Sequence, residues 1–245
     1  MKQFLLTTTV LAALAATSPA LAADLAVYHK APVAASPAYD WSGFYVGAVG
    51  GYAWGNQNLN NATGPAAPLA NFTNNYETKG GLGGGEIGAN WQSGSYLFGI
   101  EANGFGASIK GDDAFGTVPT GSNDATKLRW GASVVGRSGI ALDRMLLFFE
   151  GGWAYGALSH TSNNPGVGID TFNATRSGWT AGGGIAYAIT ANLIGKVEYR
   201  YYDFGTYRRD TPANGVLPYT VSNTYSTLLV GLDWKFGGSP IVAKD

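Results

Sequence analysis

The chain has no cysteine, which excludes a disulfide framework and any thiol chemistry. Charge is scarce too: Asp, Glu, Lys and Arg are 13% of 245 residues, about half the usual share. That is thin cover for an ordinary solvated surface. The formal net charge of −1 gives no electrostatic basis for nucleic-acid binding. Two histidines and two methionines leave little material for a metal centre. No segment after the first residues offers 18 uninterrupted apolar side chains, so no helix is expected to cross a membrane. What is abundant is glycine, 37 residues and about twice average usage, together with aromatics at 13%. So many aromatics with so few charges argue against disorder.

The first 22 residues read as a cleaved export signal. Lys2 supplies a positive start, Phe4 to Ala16 an apolar stretch, and Ala20-Leu21-Ala22 a small-x-small cleavage site. Residues 23–40 form an Ala/Pro-rich lead-in without a period, expected in the periplasm. The patterned region runs over 41–236, and 237–245 form a short C-terminal tail. An exported chain without an apolar helix crosses a membrane only with strands.

The clearest strand ends the patterned region. Leu228, Val230, Leu232 and Trp234 share one face, and Leu229, Gly231, Asp233 and Lys235 the other. Similar alternation recurs over 43–54, 80–92, 96–108, 126–140, 145–158, 176–189 and 193–206. Three connections are tight: Gln92 to Ser95, Leu142 to Arg144 and Thr190 to Asn192. Four others, about 55–79, 109–125, 159–175 and 207–223, are long and polar. Short turns on one side and long loops on the other predict an all-β fold: an eight-stranded antiparallel up-and-down transmembrane β-barrel. The turns would be periplasmic and the four long loops extracellular. Trp54, Trp91, Trp153, Trp234, Tyr199 and Tyr201 are expected in the aromatic girdles at the lipid boundary.

Alternation also assigns the charges. Arg129, Arg137, Lys196, Arg200 and Lys235 are expected inside, against Glu86, Glu101, Glu150, Glu198 and Asp233. A charge on the lipid face costs about 2–4 kcal/mol at the midplane. Eight strands enclose only enough space for side chains to fill. Five charges of each sign would therefore make a paired, polar plug. Inward glycines (Gly84, Gly88, Gly99, Gly131, Gly152, Gly182, Gly184) are expected to make room for the long Arg and Lys side chains.

Tyr39-Asp40-Trp41-Ser42-Gly43-Phe44-Tyr45-Val46-Gly47, after an Ala/Pro-rich tail, resembles the opening strand of the alphaproteobacterial outer-membrane immunogenic proteins. The segment from Leu228 to Lys244 resembles their ending. These are porin-family, OmpA-like barrels, and the resemblance spans roughly 24–245. It implies an abundant, surface-exposed protein of the Gram-negative outer membrane with structural and antigenic roles. Many outer-membrane barrels end on the final aromatic that the assembly machinery reads. Here Phe236, with Trp234, is expected to carry that signal although nine residues follow it. Expected partners are outer-membrane lipid or lipopolysaccharide, periplasmic chaperones, the barrel-assembly machinery and a second copy of the chain.

Motifs for chemistry are sparse. Gly80 to Gly85 is glycine-rich but lacks the Lys-Ser/Thr of a phosphate loop, so it reads as a flexible strand start. His160-Thr161-Ser162-Asn163 resembles the His-x-Ser-Asn of lipid A deacylases, with Ser162 as nucleophile and His160 as base. No Glu follows it closely, and Asp170 is expected in a loop, so the bland reading is plain loop residues. His160, Tyr207, Arg208 and Arg209 could together hold an anionic porphyrin such as hemin if their loops meet. Neither a metal nor a resident cofactor is expected. The sequence therefore reads as a non-enzymatic outer-membrane barrel. A small-solute porin or hemin receptor is the alternative, and a lipid A-modifying enzyme a more remote one.

Overall fold

A computed structural model describes residues 39–61, 73–114, 123–164, 168–210 and 219–237. The proposed signal peptide, most of the lead-in and the tail beyond Gly237 lie outside the described residues. The described chain is a closed barrel of eight antiparallel strands in sequence order. They are β1 (Gly43–Asn61), β2 (Thr73–Ser93), β3 (Tyr96–Ala114), β4 (Asn123–Leu142), β5 (Met145–Asn164), β6 (Gly168–Ala188), β7 (Leu193–Arg209) and β8 (Tyr219–Lys235). Followed from Val46 through Ile87, Ala102, Val134, Trp153, Trp179 and Asp203, the register returns to β1 near Asn56. The strands are therefore steeply tilted, as a closed barrel requires.

The tight turns form where the sequence places them. Gly94 and Asp143 carry positive φ of 61° and 54°, conformations that glycine and aspartate tolerate best. At the other end the strands outrun expectation. They are 17–21 residues long, about twice the 9–11 needed to cross a bilayer. The strands run well into the expected loops 55–79, 109–125, 159–175 and 207–223, and only residues 165–167 separate β5 from β6. Above the membrane both faces of a strand can be polar, so the alternation fades while the backbone ladder continues. Glu77 on β2 and Asp170 on β6 lie on such extensions.

Outside, the barrel presents an aliphatic band between two aromatic belts. The outer belt contains Trp54 with Tyr199, Trp130 with Tyr155, and Trp179 with Tyr201, with ring centroids 5.4–6.4 Å apart. Phe44, Trp91, Phe98, Trp234 and Phe236 form the periplasmic belt, all exposed. Ile87, Ile100, Val134, Val197 and Val230 lie between, also exposed. In water this surface would be untenable, and in lipid it is the favourable one.

Two irregularities matter. Register shifts between Gly106 and Ile109 on β3 and between Leu128 and Trp130 on β4 meet at the same height. The bulge breaks the alternation counted from Arg137 and Ser133. Arg129 consequently faces outward and is exposed, not in the lumen where strict alternation puts it. Second, the β6–β7 ladder stops at Trp179 and Asp203. Beyond it, β6 pairs with β5 and β7 with β8. Faster hydrogen exchange is expected for the β6 amides of 170–178 than for the β4 amides of 130–138, which are laddered on both sides. Equal protection by mass spectrometry would show that the wall is closed there in solution.

Candidate functional site

The lumen is filled in layers. At the periplasmic mouth Tyr39, Trp41, Leu97, Leu146, Phe148 and Ile194 form a buried apolar cluster. Higher up, Phe105, Ile109, Leu128, Tyr202, Phe204 and Tyr225 form a second. Between them lies the ion network.

Glu101 is its centre, at 1% exposure. Its Oε2 lies 2.6 Å from Arg137 and 3.3 Å from Lys196, and its Oε1 2.9 Å from Arg200. The Tyr45 hydroxyl donates to the same carboxylate at 2.9 Å and accepts from Arg137 at 3.0 Å. Glu150, the cross-strand partner of Arg137, contacts Arg137 at 3.1 Å and Arg200 at 2.5 Å. Glu198 lies 2.6 Å from Arg200 and 3.3 Å from Lys196, and Glu86 2.6 Å from Lys196. Arg200 also donates to Ser133, which donates to Asn103. The Arg137 guanidinium lies 4.3 Å from the Phe148 ring centroid.

Alternation thus identifies nine of the ten expected charges as inward-facing, but not their grouping. Glu86, Glu101, Glu150, Glu198, Arg137, Lys196 and Arg200 converge on one network. Asp233 is buried beside Glu86. Lys235 is buried at the periplasmic end, where its ammonium donates to the Asp40 carbonyl and lies 4.6 Å from the Tyr39 ring centroid. With Arg129 outside, the balance of five against five does not hold: four carboxylates share three cations in the network. Glu101, Glu150 and Glu198 bring oxygens within 4.8 Å of one another, a spacing that could hold a metal ion. Arg137 and Arg200 occupy that position as its cations.

The glycines serve a different partner than alternation suggests. A Cβ at Gly88 would lie 2.3 Å from the Tyr45 hydroxyl, and one at Gly131 2.4 Å from the Phe105 ring. At Gly84, Gly152, Gly182 and Gly184 it would meet a neighbouring strand's carbonyl at 2.1–2.4 Å, and at Gly99 the Asn90 side chain at 2.3 Å. Aromatic rings and close strand approach, more than long cations, set these positions. Gly231, under Lys196, is the case where a cation needs the space.

Toward the extracellular end, His160 and Tyr207 line one cleft with Thr126, Phe172, Arg176 and Asn223. His160 is buried, with Nδ1 2.9 Å from the Thr126 hydroxyl. The Tyr207 ring stacks on Phe172 at 4.6 Å, with Arg176 3.9 Å from its centroid on the barrel's inner side. Arg209 lies over Phe172 and pairs with Asp170 at 3.1 Å. These contacts bridge β6 and β7 where their ladder has ended. Arg208 turns outward to Asp210 at 2.5 Å and does not join them. Asp170 is a buried strand residue on β6, not a loop residue, and its backbone faces Ser162 across the sheet.

The sequence did not single out the periplasmic closure. Tyr39 donates to the Ala191 carbonyl, and the Trp41 indole to the Asp143 carbonyl, both at 3.0 Å. The Trp41 amide donates to Gln92 at 2.8 Å. Burial, with Asp40 beside it, pushes the Tyr39 phenol up to about 12, so it remains a donor. An apolar concavity of about 510 Å³ lined by Tyr96, Phe98, Ile140, Leu147 and Phe149 lies on the outward surface and faces lipid.

Residues 8–236 match the family model for the outer membrane protein β-barrel domain. The chain is 32% identical over 243 residues to the 31 kDa outer-membrane immunogenic protein of Brucella melitensis, covering 92% of this chain and 97% of that protein. It is 30% identical over 210 residues to the 25 kDa outer-membrane immunogenic protein of Brucella abortus, covering 84% of each. Among solved structures, Neisserial surface protein A is 17% identical, with a TM-score of 0.42 over 80% of this chain and 98% of that one.

Proposed function

The chain belongs to the outer membrane protein β-barrel family and lies in the Gram-negative outer membrane; from that premise we propose that it is a non-enzymatic structural protein with a filled lumen. Its strand extensions and connections would serve as a surface antigen, a role in keeping with relatives named outer-membrane immunogenic proteins. One observation carries this reading. The central network is 0–3% exposed at every ion-paired side chain and is closed above and below by apolar clusters. No acid–base or nucleophilic role is needed to account for these charges, because they satisfy one another inside a barrel whose backbone is paired.

The test is planar-bilayer conductance of the refolded protein. No steps, or only rare ones, are expected. Stable steps altered by Glu150→Gln with Arg137→Gln would make the protein a small-solute porin and the network its filter. Antibody binding to intact cells, expected to map to the strand extensions, checks the surface role.

A further inference from the structure

Three lysines stand side by side outside the barrel. Lys79 on β2 is the Cα partner of Lys110 on β3, and Lys110 that of Lys127 on β4. All three are exposed. Directly opposed residues hold their Cα atoms about 4.5–5.5 Å apart, and like charges so placed destabilise a sheet. No ion pair joins any of the three to another described residue. The bulge between Leu128 and Trp130 then turns a fourth cation, Arg129, outward into the same region.

The height is informative. Trp54 shares its rung with Lys79, and Trp130 lies three residues nearer the bilayer centre than Lys127 on β4. Both belong to the outer aromatic belt. The amines therefore lie at or just beyond the level of lipid headgroups. Glu77 is exposed two residues further out than Lys79, and Asp112, Asp113 and Asp124 hold register positions on the outermost rungs of β3 and β4. The cations thus stand at the outer edge of the aromatic belt, inside the register positions of these acidic residues.

We propose that Lys79, Lys110, Lys127 and Arg129 form a binding surface for the phosphorylated sugar headgroup of an outer-leaflet glycolipid. A bis-phosphorylated headgroup supplies the counter-charge that the sheet lacks, and its acyl chains would lie along the aliphatic band below. The inference rests on the outer-membrane placement and is independent of whether the lumen conducts.

The experiment measures binding of bis-phosphorylated lipid A to the refolded full chain in uncharged detergent. Dephosphorylated lipid A, inorganic phosphate and a Lys79→Gln/Lys110→Gln/Lys127→Gln variant run in parallel. Refolding is checked by heat-modified gel migration. Removing the three amines is expected to weaken lipid A binding about a hundredfold. Removing the lipid phosphates should weaken it comparably, and inorganic phosphate at millimolar concentration should not compete. Should the triple variant fail to refold, Lys110→Gln alone is expected to cost about fivefold. Equal binding by variant and wild type, or by dephosphorylated lipid, would overturn the proposal. Full competition by inorganic phosphate would leave a simple anion site and overturn the lipid assignment.

Discussion

Arg200→Ala is expected to destabilise the barrel by about 3–5 kcal/mol, the range for removing one partner from a buried ion pair. Arg200 has no exposed surface and contacts Glu101, Glu150 and Glu198 at 2.5–2.9 Å. Its loss leaves the four carboxylates of the network facing only Arg137 and Lys196. Two of those carboxylates, Glu150 and Glu198, would each lose their shortest contact to a cation. Charge counting separates this from a change of the opposite sign. Glu101→Gln removes one of four carboxylates that share three cations, so the surviving charges balance. Its expected cost is the lesser one of imperfectly paired buried donors, about 1–3 kcal/mol. Glu150→Ala should fall between these two. Arg200→Lys should recover only part of the loss, because an ammonium cannot span three carboxylates as the guanidinium fork does. Arg129→Ala is the control: an outward, exposed side chain should change stability by no more than about 0.5 kcal/mol. Urea unfolding in lipid vesicles, with heat-modified gel migration alongside, reads all five. Were Arg200→Ala as stable as Arg129→Ala, the network would contribute nothing to the fold.

The contrast between Arg200 and Arg129 also marks how far the sequence can be read. Arg200 follows Glu198 and Lys196 at the strand period, and lipid on the other face enforces that alternation. Its facing is therefore fixed by residues two and four away. Arg129 obeys the same parity with Arg137 and Ser133, yet one extra residue at the bulge turns it outward. Nothing in the local sequence marks that residue, because the bulge depends on a matching shift in β3. Pairing within the lumen is equally non-local: Arg200 meets Glu101 from a strand 99 residues earlier. The strand ends fade for another reason. Beyond the lipid, Lys79 and Glu77 face outward as readily as Trp54 and Tyr52, so polarity no longer reports direction. Lys79, Lys110 and Lys127 come from strands joined by connections of different length, so their alignment follows from register and not from spacing. Tyr45 shows a further limit: an aromatic in a barrel strand reads as lipid-facing, yet its hydroxyl belongs to the luminal network.

Trp41→Ala is the second large effect, with an expected loss of about 3–5 kcal/mol. Trp41 precedes β1 and belongs to no alternation, yet it is 1% exposed. Its ring meets Tyr39 edge-on at 4.9 Å. Between them the two residues bond to all three periplasmic turns: Gln92, Asp143 and Ala191. Truncation would remove a large buried side chain and the indole donor to the Asp143 carbonyl. Collapse cannot easily fill the space, because the strand ends around it are held by the barrel ladder. Trp234→Ala gives the comparison, since Trp234 also sits at the periplasmic end but is 52% exposed on the lipid side. Trp234→Ala should cost less, since its ring leaves no buried cavity behind. Unfolding in vesicles would measure both. A second readout separates closure from mere stability: limited proteolysis from the periplasmic side should cut the chain ahead of β1 in Trp41→Ala and not in Trp234→Ala. Equal losses and equal cleavage would mean that the aromatic pair is packing without sealing the mouth. The expected asymmetry would place the periplasmic closure in residues 39–41, ahead of the first strand.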